Sequence, residues 1–305
     1  VWQVSEVADY ARLARIFGER AIADGRKLIY VRFAPHDELF APRDGLEIVT
    51  LDPSRGFEGF TGEVHRIIER SGKEAFYVFD CLSVLQEAWS ADLMMGNFFM
   101  VTCPFLFELD TVAWFCILRH RHSFEAIARV RETTQSLLDL WHDDGCLYIH
   151  PIKVWKRYSS TMFFPHRLCL ERPDESKAVT DGVSVSRFYE IAGRMDEPGE
   201  SRNLDSWELF FMEARKAAGD KTLAKKIAER IIGGEDRMLA LVARTCSAQD
   251  LLAVKDRMIG SGKIGGKAAG MVVARRIVLE RLPELADRLE PHDSFYLGTD
   301  VFYAY

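Results

Sequence analysis

The sequence predicts an α/β fold in which a mostly parallel sheet is covered by helices on both faces. Three observations lead to this class. Short apolar runs typical of buried strands recur along the first 170 residues. Stretches with apolar residues at helical spacing lie between these runs. Turn residues such as Gly25 and Gly72 separate the two kinds of segment. This alternation is expected to give βαβ units.

The elements of the first region follow in chain order. Ser5 is a candidate N-cap for the first helix, and Ser123 for a long helix running to about Trp141. Pro151 predicts an edge or a bulge in its strand. The predicted strands are 1–4, 27–33, 46–51, 75–80, 111–118, 145–155 and 162–170, and the predicted helices are 6–24, 60–71, part of 92–108 and 124–141.

Composition divides the chain into four regions. The boundaries are set by a polar stretch rich in proline and glycine, by a series of short amphipathic segments, and by a glycine cluster. The sequence Ser247-Ala-Gln-Asp250 fits a capping box before the last of the short helices. The regions are an α/β domain (1–172), a linker around a short helix (173–204), a connector with helices at 207–218, 222–232, 236–243 and 249–258 (205–259), and a final region (260–305) whose helix runs to about residue 281.

Composition and the two termini limit the classes of function. The net charge of -6 offers no basic surface, which argues against a nucleic-acid partner. No apolar run reaches the ~18 residues of a membrane span. The six cysteines contain no C-x-x-C pair, so we expect buried free thiols in a reducing cytoplasm. The first residue is Val1, and residues 294–305 are apolar to the last, so we expect part of a longer protein.

The clearest ligand chemistry lies in the glycine segment, residues 260–271, which reads Gly-Ser-Gly-Lys-Ile-Gly-Gly-Lys-Ala-Ala-Gly-Met. It combines five glycines with two lysines directly before a predicted helix. A glycine-rich turn lets backbone N–H groups approach an anion, and a helix N-terminus and a lysine add positive charge. The segment therefore predicts a phosphate site.

Other interpretations of the same glycines remain open. Gly260, Gly262 and Gly265 fit G-x-G-x-x-G, the dinucleotide motif, but that motif follows a strand, and the preceding residues look helical. The P-loop pattern does not fit, because no glycine stands five positions before Gly266 and Ala268 follows the lysine. A flexible hinge between two domains is a further interpretation.

The segment Ile264-Gly-Gly-Lys-Ala-Ala-Gly-Met271 resembles the GGK motif that opens the nucleotide-binding domain of phosphoenolpyruvate synthases and pyruvate phosphate dikinases. The resemblance covers about 258–305 and implies the start of an ATP-grasp-like, PEP/pyruvate-binding domain. It implies that Lys267 contacts ATP, that Gly265 and Gly266 match the paired glycines, and that Lys263 lies in the same site.

This resemblance also implies a reaction and its ligands. Members of the family pass a phosphoryl group from ATP, with Mg²⁺, to a catalytic histidine and then to pyruvate. The histidine domain and the pyruvate-binding barrel are absent from these 305 residues. We therefore expect a phosphotransferase activity of the full-length protein, no catalytic residue in this chain, and no activity of this chain alone.

Residues 1–172 resemble the RecA-like ATPase core, especially its circadian-clock (KaiC-like) branch. Residues 75–83 match the Walker B segment, with Asp80 at its acidic position, and residues 153–159 resemble the family's basic strand near a neighbouring subunit. The expected Walker A loop is replaced by Ser5-Glu-Val-Ala-Asp9, whose two carboxylates would repel a triphosphate. The resemblance thus implies a degenerate domain without ATPase activity, which serves as an interaction or sensory module and can form a homo-oligomer.

Two further groups of residues are candidate features. His120 and His122 follow a predicted strand, and we interpret them as solvated loop histidines, since no third ligand for a metal ion is evident. An aromatic and methionine cluster is predicted to lie in the core, and it consists of Trp89, Met94, Met95, Phe98 and Phe99.

Overall fold

The chain folds into two compact units, Val1–Leu204 and Asp205–Tyr305. Each unit has its own hydrophobic core. The computed structural model describes residues 1–89, 91–143, 145–170, 176–194, 204–217, 222–233, 236–290 and 294–304.

The first unit is built on a nine-stranded sheet. Its strands are β1 (Trp2–Val4), β2 (Leu28–Arg32), β3 (Leu46–Thr50), β4 (Phe76–Cys81), β5 (Val112–Leu118), β6 (Ser136–Asp143), β7 (Cys146–Val154), β8 (His166–Leu168) and β9 (Lys177–Ala178). The order across the sheet is β3-β2-β4-β5-β1-β6-β7-β8-β9. Neighbours from β3 to β6 are parallel, and those from β6 to β9 are antiparallel. The predicted α/β class with a mostly parallel sheet is confirmed.

Helices cover both faces of this sheet. They are α1 (Val7–Ala23), α2 (Gly56–Ser71), α3 (Ser83–Trp89), α4 (Asp92–Glu108), α5 (Phe124–Thr133) and α6 (Gly182–Arg194). Successive side chains of a strand point to opposite faces. Phe17 of α1 stacks on Trp114 of β5 at 4.4 Å, whereas Phe99 of α4 packs edge-on against Phe115 at 5.1 Å. The aromatic and methionine cluster predicted to be core is buried.

The region after Ser123 differs from its prediction. Ser123 does cap a helix, because its hydroxyl accepts from the backbone N–H of Ala126, but α5 ends at Thr133. Thr134 is extended, and residues up to 143 form β6 instead of a continued helix. The strand predicted at 162–170 is reduced to the three residues of β8. The bulge predicted at Pro151 is confirmed by a register shift between β6 and β7.

The prediction of six free thiols is also wrong. Cys146 and Cys169 form a disulfide, while Cys81, Cys103, Cys116 and Cys246 are free. The cause is the antiparallel register of β7 and β8, which pairs Leu147 with Leu168 and so places the two cysteines opposite each other. A cross-strand pairing of this kind has no signature in cysteine spacing.

The second unit is mainly helical. Its elements are α7 (Ser206–Lys216), α8 (Leu223–Ile231), α9 (Asp236–Thr245), α10 (Ala248–Asp256), β10 (Met258–Ile259), α11 (Gly266–Arg281), β11 (Tyr296–Leu297) and α12 (Thr299–Ala304). β10 and β11 pair in parallel. The capping box at Ser247 and Asp250 is confirmed. Buried residues of α7 to α10 form one core with Ile264, Ala269 and Val273, so the connector and the glycine segment pack together.

None of the described helices is both long and apolar enough to cross a membrane.

Candidate phosphate site

The glycine segment forms the connection from β10 to α11. Its first two glycines have positive φ angles, 79° at Gly260 and 93° at Gly262, which favour glycine. A Cβ atom on Gly260 would clash with Asp300, and one on Gly262 would clash with the hydroxyl of Thr299. On the facing chain, a Cβ on Gly298 would clash with the carbonyl of Ser261. The close approach of these two chain segments therefore explains the first two glycines without a ligand.

The connection packs against the hydrophobic core of the second unit and is hydrogen-bonded to it. Ile264 is 1% exposed and bridges to Ile232. Its N–H donates to the carbonyl of Ile231 at 2.8 Å, and its carbonyl accepts from the N–H of Gly233 at 3.1 Å. The N–H of Lys263 donates to the hydroxyl of Thr299 at 3.1 Å. The segment also lies inside the second compact unit, so the interpretation as a hinge between domains is wrong.

The next two glycines have no such packing role. Gly265 is the N-cap of α11 and Gly266 its first residue, and a Cβ on either one would meet open space. Neither has a positive φ angle, so the backbone does not require glycine. The first N–H groups of an α-helix lack partners within the helix, and no side chain in the described part of the chain caps α11. The N–H groups at this end are therefore accessible to an anion.

Charge at this helix end favours an anion as well. The first turn of α11 contains no acidic residue. Lys267 is exposed in that turn, and Lys263 is half-buried just before it. The nearby carboxylate of Asp300 accepts a hydrogen bond from the N–H of Val301 at 2.7 Å. Gly265, Gly266 and Lys267 form the start of α11 and Lys263 precedes it closely, so the helix dipole and two lysines both favour an anion at this end.

The dinucleotide motif meets its structural context only in part. A strand does precede the glycines, contrary to expectation, because α10 ends at Asp256 and β10 follows. With α11 and β11 it makes a small parallel βαβ arrangement. The backbone at Gly262, however, is buried against Thr299. The dinucleotide motif needs that glycine open to a pyrophosphate, so the structure favours the Gly265–Gly266 end of the segment.

The first unit has no comparable site after its first strand. Only Ser5 and Glu6 join β1 to α1. The buried guanidinium of Arg119 donates to the hydroxyl of Ser5 at 2.7 Å and to the carbonyl of Leu140 at 3.2 Å, and it stacks over the ring of Trp141 at 3.4 Å. The space at this end of β1 is filled by protein. A phosphate loop would need both a longer connection and that space.

The acidic residue at the Walker B position is also bound internally. Asp80 is fully buried at the end of β4. One carboxylate oxygen accepts from the hydroxyl of Tyr30 at 2.5 Å, and the other from the N–H groups of Phe33 and Ala34, both at 2.8 Å. Arg32 lies 3.8 Å away. Asp80 therefore fixes the loop after β2, and both of its oxygens are already engaged.

A histidine that we expected to be solvated is buried. His122 is 5% exposed, and its Nε2 lies 2.7 Å from the hydroxyl of Ser83. Burial is the main cause that lowers the pKa of His122 to about 4, so its ring is neutral at pH 7. No sequence signal predicts this pair, because Ser83 begins α3 after β4 and His122 follows β5, 39 positions later. No group of three or more residues able to hold a metal ion occurs within the described ranges.

Comparison with known proteins gives no family for this chain. No protein-family model matches it, and no curated protein matches it.

Proposed function

We propose that the N-terminus of α11 binds the phosphates of ATP, and that this site belongs to an ATP-dependent phosphotransferase that acts on pyruvate. One observation carries the proposal: an uncapped helix end stands beside two open glycines and two lysines. Backbone N–H groups of Gly266 and Lys267 would contact phosphate oxygens, and Lys263 and Lys267 would neutralise their charge.

The reaction and its second substrate rest on the resemblance of residues 264–271 to phosphoenolpyruvate synthases and pyruvate phosphate dikinases. In that proposal residues 260–305 belong to an ATP-grasp-like domain. Positive groups fixed before the reaction stabilise the charge that develops on a transferring phosphoryl group. Mg²⁺ would be carried by ATP, since this ion is usually bound through substrate phosphates.

Titration of the whole chain with ATP and Mg²⁺ by calorimetry tests the site. We expect one ATP per chain, and we expect Lys267→Ala to weaken binding by about 1.5–3 kcal/mol, the scale of a hydrogen bond to a charged group. Gly266→Ala should also weaken binding, since its methyl group would project where the phosphate approaches. Its cost to stability should be negligible, because, apart from the adjacent residues and the backbone of α11, no atom of the described residues lies within 4 Å of the added carbon.

Two matched variants serve as controls. Lys216→Ala removes an exposed lysine of α7, and Gly270→Ala adds a methyl group into open space one turn along α11. Both should bind ATP like the unmodified chain. Equal weakening by Lys216→Ala would indicate a diffuse charge effect, and full binding by Gly266→Ala would exclude close contact of phosphate with the helix end.

For the first unit we propose a non-catalytic interaction or sensory module with a RecA-like fold. The position of β1 inside the sheet, between β5 and β6, and the helices on both faces support the fold. Only two residues join β1 to α1, and the side chains of Arg119 and Asp80 form hydrogen bonds to other groups of the protein. Both features favour the loss of ATP binding. Binding of a second ATP per chain, retained in Lys267→Ala, would contradict this proposal.

A further inference from the structure

The second unit contains a cavity of about 200 Å³ away from the glycine segment. It is lined by residues of α10 and of the middle and second half of α11, and by Tyr296 of β11. Its apolar part includes Val254, Val272 and Leu279. Pockets for drug-sized ligands begin at about 300 Å³, so this cavity suits a smaller molecule.

Charged groups surround the apolar part unevenly. The lining contains three arginines, Arg257, Arg275 and Arg276, and one acidic residue, Asp250. Arg276 pairs with Asp250 at 3.4 Å, whereas Arg275 forms no ion pair with a carboxylate among the described residues. The positive charge of Arg275 beside an apolar surface raises the local concentration of anions.

The carboxylate of Asp250 already has hydrogen-bond partners within the protein. Its Oδ2 accepts from the N–H of Ser247 at 2.8 Å and from its hydroxyl at 2.7 Å, within the capping box of α10. Arg276 Nε forms an ion pair with the same oxygen at 3.4 Å, although this buried nitrogen makes no hydrogen bond within the described ranges. The carboxylate of Asp250 is therefore engaged both in the capping box and with Arg276.

Arg257 and Arg275 line the cavity together with Tyr296. Burial raises the pKa of Tyr296, and the charges of these two arginines partly offset this effect. Arg275 donates to the carbonyl of Glu290 at 2.9 Å, which fixes one side of its guanidinium and leaves its charge uncompensated by that contact. Cys246 adds no charge, because burial raises the pKa of its thiol to about 11.

We infer that this cavity binds a small organic anion with an apolar body, whose carboxylate or phosphate ester group contacts Arg275 and Arg276. The planar guanidinium group matches both anions with two parallel hydrogen bonds. The apolar body would cover Val272 and Leu279 and gain from burial. The site is separate from the phosphate site at the α11 N-terminus and does not depend on it.

Calorimetric titration of the whole chain tests the inference with five probes. Benzoate and phenyl phosphate carry both an anionic group and a ring, acetate and inorganic phosphate carry only the anion, and benzyl alcohol carries only the ring. We expect benzoate or phenyl phosphate to bind with a stoichiometry of one, and at least about tenfold more tightly than the three partial probes. The preferred probe then identifies the anionic group.

Variants locate the site. Arg275→Gln and Arg276→Gln should each raise the Kd about tenfold or more, whereas Arg281→Gln, an exposed arginine outside the cavity on the same helix, should not change it. Ala253→Trp places a large side chain into the cavity from an exposed position and keeps every charge, so it should abolish binding even if an arginine variant unfolds. Lys267→Ala should have no effect.

Several results would overturn the inference. These are absence of binding by both organic anions, binding of acetate or inorganic phosphate as tight as that of the organic anions, and equal weakening by Arg281→Gln. Unchanged binding in Ala253→Trp would place the ligand elsewhere and would overturn it too.

Discussion

At the scale of single residues, neighbouring glycines of one short segment are glycine for different reasons. Gly260 and Gly262 have positive φ angles and face side chains of the opposite chain segment. Gly265 and Gly266 have ordinary angles and face open space. The second pair, like Gly270 within α11, has no structural explanation, but it is this pair that stands at the helix end with the lysines.

A buried histidine gives a prediction for pH dependence. The pKa of His122 is lowered to about 4, mainly by burial, whereas a histidine in an unfolded chain titrates near 6.5. Between these values the unfolded chain binds a proton that the folded chain does not. The stability contributed by the neutral ring is therefore complete above about pH 6.5 and is lost as the pH falls toward 4.

The measurement is the free energy of unfolding at pH 7 and pH 4.5, in the natural chain and in His122→Gln. The natural chain should lose about 2–3 kcal/mol more than the variant between these pH values. Asp92, whose pKa burial raises, contributes with the opposite sign, but it is present in both proteins and cancels in the difference. An equal loss in both proteins would show that His122 is protonated in the folded state.

The sequence predicted the secondary-structure element in which a residue lies better than it predicted the groups that the residue contacts. The sequence correctly placed Asp80 at the end of a buried strand and Lys263 and Lys267 beside a helix start. No sequence pattern predicts that the Asp80 carboxylate accepts hydrogen bonds from Tyr30 and two backbone N–H groups. Nor does any pattern predict that the Arg119 side chain packs at the end of β1. These partners come from distant parts of the chain, so only the tertiary structure shows them.

At the scale of elements, the close contact of the β11–α12 connection with the glycine segment gives a second prediction. Gly298→Ala should destabilise the second unit by about 1–3 kcal/mol, because its Cβ would clash with the carbonyl of Ser261. Gly270→Ala should instead stabilise it by about 0.5–1 kcal/mol, because it replaces a helical glycine that faces open space.

Urea unfolding of the two variants checks this pair of effects. The same small methyl group is added in both, so the sign of the change reports the contact. Stability of Gly298→Ala equal to that of the natural chain would mean that the two chain segments do not approach closely.

Elements were often predictable where a local signal marks their ends. Ser123 and the Ser247–Asp250 box correctly marked helix starts, whereas the prediction of Ser5 was wrong because Glu6 is the N-cap of α1. The end of α5 was missed because no glycine or proline separates it from β6, and apolar residues continue through Trp141. There the β-branched pair Thr133-Thr134 and pairing with β1 and β7 favour a strand, and the pairing partners are distant in sequence.

At the scale of the whole molecule, each unit has its own core, and the two proposals assign ATP to only one of them. Trp207 is the only tryptophan of the second unit and is fully buried, whereas the other five belong to the first unit. Tryptophan fluorescence therefore separates the units, since the signal lost in Trp207→Phe belongs to the second one.

We expect ATP with Mg²⁺ at one hundred times its Kd to stabilise the second unit by about 2.7 kcal/mol, and so to raise the thermal midpoint of the Trp207 signal by several degrees. The signal of the other five tryptophans should keep its midpoint if the first unit binds no ATP. If both signals rise together and both shifts disappear in Lys267→Ala, the units unfold cooperatively and the site still lies at α11. A shift of the five-tryptophan signal that persists in Lys267→Ala would place an ATP site in the first unit, against the internal use of Arg119 and Asp80.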